Sequence, residues 1–181
     1  MSVTPEEVLA FWFEALTPQQ WFRHDPALDN DIAARFAPLT EAARRCELST
    51  WRDDDRGRLA EIIVIDQFSR NLYRDDPRAF SHDPLALALA QQAVTEGVDG
   101  RLSITERPFL YMPYMHSESL IIHQQALALF DQPGLERNLD AERRHLGVLE
   151  RFGRYPQRNA ALGRDSSAAE LAFLDTPGNR F

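Results

Sequence analysis

Proline divides this chain into helix-length pieces, and that punctuation constrains the fold more than any other feature. Eleven prolines occur in 181 residues. Ten fall where other signals place a boundary or a loop; Pro38 is the exception. A proline cannot donate in a helix interior and crowds the preceding turn. Between these stops the signals are those of helix ends. Thr4 precedes Pro5, Glu6 and Glu7, an N-cap with a first-turn proline and two acids at the positive end of the helix dipole. Phe11, Trp12 and Phe13 follow as an aromatic plug, and Trp21 and Phe22 fall in a loop. A second helix is expected from about Leu28 to Arg45, with Ile32, Phe36 and Leu39 on one face and a kink or break at Pro38.

Ile62 to Ile65 is an apolar run short enough for a buried strand, but long side chains continue from Arg58 to Phe68 without Gly or Pro. That length favours a buried central helix, with Asp53 to Asp55 at its amino end. Asp83 and Pro84 start another helix, which stops at Gly97. Ser103 with Glu106 and Ser167 with Glu170 have capping-box spacing. Pro113 is expected to end or bend the short helix it sits in. Further helices are expected over about Ser117 to Phe130 and Leu139 to Phe152. The sum is an all-α fold of seven to eight helices joined by short connections, in a single domain over residues 1–181.

Charge narrows the function. The net charge of −8 excludes general binding to nucleic acid or anionic membranes, and no stretch is long and apolar enough to span a bilayer. "MSVTPEEVLA" has neither the basic start nor the apolar run of a signal peptide, and a lone cysteine, Cys46, suits the reducing cytosol. The expected location is therefore cytoplasmic. All 20 basic residues are arginine, so a lysine Schiff base and a Gly-Lys phosphate loop are both excluded. Arg143 to Arg164 holds six arginines against Glu150, a net +5 that leaves the remainder at −13.

The sharpest part of that segment is "RFGRYPQRNAALGR", residues 151–164. It leaves a helix whose apolar stripe is Ala141, His145, Val148 and Phe152. His145 in that stripe is either a core histidine satisfied by a carbonyl or carboxylate, or a general base or ligand donor. Arginine forks and loop amides after Gly153 suit a phosphate or carboxylate. Asp66, four residues before Arg70 and followed by Asn71, comes just after the most apolar run, so it needs a cation or donors if buried. Asp66 and Glu118 either neutralise the arginines of the 151–164 segment or orient them around a ligand. His116 and His123 are seven apart, about 10.5 Å along a helix if they share one, too far to chelate one ion. Glu142 and His145 form half of a Glu-x-x-His pair whose other half is missing, so neither metal nor cofactor is expected. Ser117 lacks a Gly-x-Ser-x-Gly elbow, and Cys46 has no activating neighbour in sequence.

Taken together, "FWF" at 11–13, "DQFSRN" at 66–71, "RAF" at 78–80, "MHSE" at 115–118 and the 151–164 segment resemble the uncharacterised bacterial family called domain of unknown function 924. The resemblance covers nearly the whole chain. It implies antiparallel helix pairs in a tetratricopeptide-like array without a readable 34-residue repeat. It implies no activity. The family usually has Pro where Ser69 stands and His where Gln157 stands. An amide at 157 can hydrogen-bond but cannot transfer a proton, which favours binding or structure there.

The leading expectation is a small anionic metabolite, phosphate- or carboxylate-bearing, held by Arg151, Arg154 and Arg158 with Arg70, Asn71 and Asn159 nearby. His116, His145 and Glu118 are the candidate acid/base groups, and Asp66 and Glu118 orient the arginines. One alternative is a peptide-interaction module taking acidic segments; another is that the arginines are purely structural. No residue pattern names a reaction or an oligomeric state.

Overall fold

Four α-helices among the described residues begin where a short polar side chain, Thr4, Asp25, Asp54 or Ser167, takes up the first free amides. The computed structural model describes residues 3–179, and among these residues it contains helices and no strands. α1 (Pro5–Ala10) opens on a reciprocal capping box between Thr4 and Glu7 and runs on through a π-helical turn, Phe11–Ala15. α2 (Pro26–Arg44) is capped by Asp25, whose carboxylate accepts from the amides of Ala27 and Leu28. It therefore starts two residues before the expected Leu28. Pro38 does not break it. The loss at a proline is local, whereas Ile32, Phe36, Leu39 and Ala43 are buried along the whole length of α2.

The ambiguous segment is helical. α3 (Asp55–Ile63), capped by Asp54, passes without interruption through a π-helical turn, Val64–Phe68, into α4 (Ser69–Leu72). This rod is the centre of the molecule: Leu59, Ala60, Ile62, Ile63, Val64, Ile65 and Phe68 are all buried. Phe11, Trp12, Phe36 and Phe109 pack around Phe68 and one another with ring centroids 5.0–6.2 Å apart.

The second half runs through α5 (Asp83–Thr95), α6 (Arg107–Met115), α7 (Leu120–Phe130), α8 (Glu136–Phe152) and α9 (Ala168–Leu174). With α3 and α4 counted as one rod, the described residues form eight helices. α6 continues past Pro113, which therefore does not end it, because every residue from Pro108 to Met115 is buried and tertiary packing outweighs one lost hydrogen bond. α7 begins three residues later than expected, so His116 and His123 do not share a helix face. His116 closes α6, and His123 lies in the first turns of α7. Successive helices pack on one another, α5 on α6, α6 on α7 and α7 on α8. Both expected capping boxes form, at Ser103–Glu106 and at Ser167–Glu170. Beside the main core lies a smaller cluster of Val148, Leu149 and Tyr155, with Phe152 and Phe173 against it.

Candidate functional site

Asp66 sits in the π-helical turn of the central rod, 1% exposed. A carboxylate that deep must be met by donors. Three meet it: His116 through Nδ1 at 2.7 Å, Arg70 at 3.2 Å, and the amide of Gln67. Burial on its own would raise the pKa of Asp66; Arg70 and His116 outweigh it and hold the group well below the usual carboxylate range.

Arg70, one turn further along, forks onto Asp83 at 3.0 and 2.9 Å and also donates to the carbonyl of Asp66 at 2.6 Å. Asp83 is in the first turn of α5, where the helix dipole favours a negative charge. The same carboxylate accepts from Arg158 at 3.2 Å. Arg158 belongs to a 3-10 turn, Pro156–Arg158, and its guanidinium lies 4.7 Å from the ring centres of both Phe80 and Tyr155. Its other arm donates to the carbonyl of His116 at 2.8 Å. Two carboxylates and two guanidinium groups thus offset one another beneath His116.

His116 keeps part of its side chain exposed, as does Arg70. Burial, then the Arg70 charge, lowers its pKa against the opposing pull of Asp66, so the ring is neutral at pH 7. An ionised carboxylate only accepts, so Nδ1 carries the proton and Nε2 a lone pair. The side chain is 16% exposed, and Nε2 makes no hydrogen bond among the described residues. His145 lies close enough to His116, His123 and Arg158 to feel their charges. Its Nδ1 donates to the carbonyl of Ala141 at 2.8 Å, and its ring stands edge-on to Tyr155 at 5.6 Å. Burial first, then those three neighbours, push its pKa down to about 3.

Asp66, Arg70, His116 and Arg158 therefore converge, with His145 alongside. The other candidates lie elsewhere. Glu118 accepts from the amide of Tyr155 at 2.7 Å and pairs with Arg164 at 2.8 and 3.0 Å. Arg154 forks onto Glu170 at 2.7 and 2.9 Å. Arg151 is exposed, its guanidinium 4.7 Å from the ring centre of Phe152. Asn159 is buried and donates to Ser166, and Asn71 donates to Asp29. The expectation that Asp66 neutralises the 151–164 segment is corrected. Its charge is taken by Arg70 and His116, while Glu170 and Asp83 meet Arg154 and Arg158. Glu118 does meet that segment, at Arg164.

Asp83, Phe80 and Tyr155 were not singled out by sequence. Asp83 had a visible signal, an acid at a helix start, but a helix start alone does not reveal two distant arginines. Glu142 pairs with His123 of α7, not with His145. Ser69 and Gln157 each keep a buried side-chain oxygen without a hydrogen-bond partner among the described residues. No group of three or more His, Cys, Asp or Glu among the described residues is placed to hold a metal ion.

A family model described as bacterial protein of unknown function (DUF924) matches residues 8–178. A solved structure from Agrobacterium tumefaciens, of a protein of unknown function designated ATU0120, superposes with a TM-score of 0.89 at 35% identity. That alignment covers 94% of this chain and 96% of the other. No curated protein matches the sequence.

Proposed function

We propose, from the premise that this chain belongs to the DUF924 family of bacterial proteins, that His116 and the charged groups beneath it form the site for a small anionic metabolite. The observation that carries the reading is Nε2 of His116, without a hydrogen bond among the described residues on a side chain that is 16% exposed, while its other nitrogen is held by a buried carboxylate. A neutral imidazole in that state accepts a proton or a hydrogen bond. The ligand class that fits best therefore carries a hydroxyl or acidic proton beside its phosphate or carboxylate, as a phosphomonoester or a hydroxy acid does. Arg70 and Arg158 supply N–H donors, their charge being offset by Asp66 and Asp83. Each guanidinium has five N–H donors, and Asp83, Asp66 and the His116 carbonyl take only part of them. His145 flanks the site as a neutral ring.

Arg154, Glu118 and Asn159 support this site from outside it by tying the 151–164 segment to α9, to the connection between α6 and α7 and to Ser166. A single domain with tetratricopeptide-like helix pairing, working in the cytosol, belongs to the same reading. The packing of successive helices supports it, as does the absence among the described residues of any helix long and apolar enough to cross a membrane.

The test is calorimetric titration with inorganic phosphate, glycerol phosphate and lactate. Binding of at least one is expected, lost in His116→Ala and retained in Arg154→Ala. No heat from any of the three, or equal binding in both variants, overturns the reading. One observation favours a second reading, docking of an acidic peptide. Arg137, Arg144 and Arg151 recur at seven-residue spacing on α8, and none has a carboxylate partner among the described residues. Retained phosphate binding in His116→Ala with loss in Arg144→Ala would favour that surface.

A further inference from the structure

Three consecutive carbonyls at the carboxyl end of α6 are each taken by a side chain from another part of the chain. The hydroxyl of Tyr155 donates to Met115 O at 2.6 Å, Nη2 of Arg158 to His116 O at 2.8 Å, and Nε2 of His123 to Ser117 O at 2.9 Å. A helix end leaves its last carbonyls without donors of their own. Buried ones must find donors elsewhere. The middle carbonyl of the three belongs to His116.

The donors are braced in turn. Tyr155 has one hydroxyl proton, and it goes to Met115, so its oxygen accepts from Nε2 of His123 at 3.0 Å. Nε2 of His123 therefore carries a hydrogen shared between Ser117 O and the tyrosine oxygen. Nδ1 of His123 meets Oε1 of Glu142 on α8. The backbone of Tyr155 is gripped on both sides, its amide by Glu118 and its carbonyl by Arg164 at 3.2 Å. Tyr155, His123 and Glu142 are fully buried, so none of them can touch a ligand in solution. A core that needed only volume there would be filled by apolar residues, since buried charged and polar pairs contribute little net stability over apolar replacements of the same size.

We propose that Tyr155, His123 and Glu142 are positioning residues for His116. They fix the peptide units on both sides of it so that Nδ1 meets Asp66 and Nε2 faces the ligand. The proposal rests on the reading of His116 as the ligand-facing group. Its physical basis is the place of His116 in the chain. It is the C-cap of α6, where the helix holds the following peptide only through the Ser117 amide, which donates to Tyr114 O at 3.2 Å, so a small rotation there swings the imidazole directly. Holding three successive carbonyls removes that freedom, as a preorganised site requires.

The experiment uses full-length protein labelled with 15N-histidine. Long-range proton–nitrogen spectra read the His116 tautomer, and inorganic phosphate is the binding probe. Tyr155→Phe keeps the ring and deletes the donated proton. His123→Gln keeps a donor for Ser117 O, and His123→Leu does not. The parent and His123→Gln are expected to show His116 protonated at Nδ1. Tyr155→Phe and His123→Leu are expected to show both tautomers, with phosphate bound several-fold more weakly. An unchanged His116 tautomer in Tyr155→Phe, whatever happens to its melting temperature, overturns the proposal. Should His123→Leu fail to fold, Tyr155→Phe decides on its own. If the parent binds no phosphate, the ligand reading falls, while the tautomer comparison still decides the positioning role.

Discussion

His145 shows at the scale of one residue how burial becomes a pH dependence. Its folded pKa of about 3 lies below the ordinary histidine value of 6.5. Between those values the unfolded chain takes up a proton that the folded ring refuses, so acid favours unfolding. His116 is shifted in the same direction. Asp66 acts in a different window. Its lowered pKa stabilises the fold above the unfolded carboxylate value near 3.8, and that contribution is lost only as pH falls through the folded value. Glu142 is raised by burial, so it opposes the histidines as the pH falls. The expected outcome is a loss of stability from about pH 6.5 downward, with a limiting slope of about 1.4 kcal/mol per pH unit for each refused proton. Urea unfolding at a series of pH values checks it. His145→Gln should flatten the curve between pH 6 and 4 by about one proton's worth; an unchanged slope in that variant refutes the assignment to His145.

At the scale of the element, α8 contains one glycine whose replacement should help and ends on one whose replacement should hurt. Gly147 lies in the exposed interior of the helix, and an added Cβ would meet nothing within 4 Å. Gly147→Ala should raise stability by about 0.5–1 kcal/mol, the ordinary difference between the two residues in a helix. Gly153 closes α8 in the left-handed region at φ +70. Gly153→Ala should lower stability by about 1–2 kcal/mol although it too has open space around it. Urea midpoints measured with unchanged m-values separate the two effects, and equal shifts would contradict the difference in backbone conformation. The π-helical turn at Val64–Phe68 is the other element that matters. Such a turn shifts the register of the side chains that follow it and recurs at functional sites. Here it holds Asp66 among apolar neighbours, in reach of a histidine from α6.

Across the whole molecule, the Arg154–Glu170 pair links the end of α8 to α9, and Arg154 also donates to the carbonyl of Asp165 at 2.7 Å. α9 otherwise packs on the turn that carries Arg158 and on Phe152 through Phe173. Arg154→Ala should loosen α9 before anything else. Hydrogen exchange should rise over residues 165–175 while α3 and α6 keep their protection. Uniformly faster exchange would mean that α9 unfolds together with the core. The same structure shows what was legible beforehand. Caps and prolines act within one helical turn, so Thr4, Ser167, Asp83 and Gly153 marked helix ends correctly without knowledge of any other part of the chain. Pro38 and Pro113 end neither helix, because burial along α2 and α6 outweighs a local loss. For the site, the residue types were legible and their partners were not. The carboxylate for Arg158 lies 75 residues away, that for His116 50 and that for Arg164 46, whereas Arg154 finds its own after 16. Sequence by itself determined that the chain is helical, where several of its helices start, and that one arginine-rich segment needs acidic partners. Only the tertiary structure decided which acids those are and which nitrogen of His116 a carboxylate holds, because the pairing of buried charges depends on how packed helices bring remote side chains within hydrogen-bond reach.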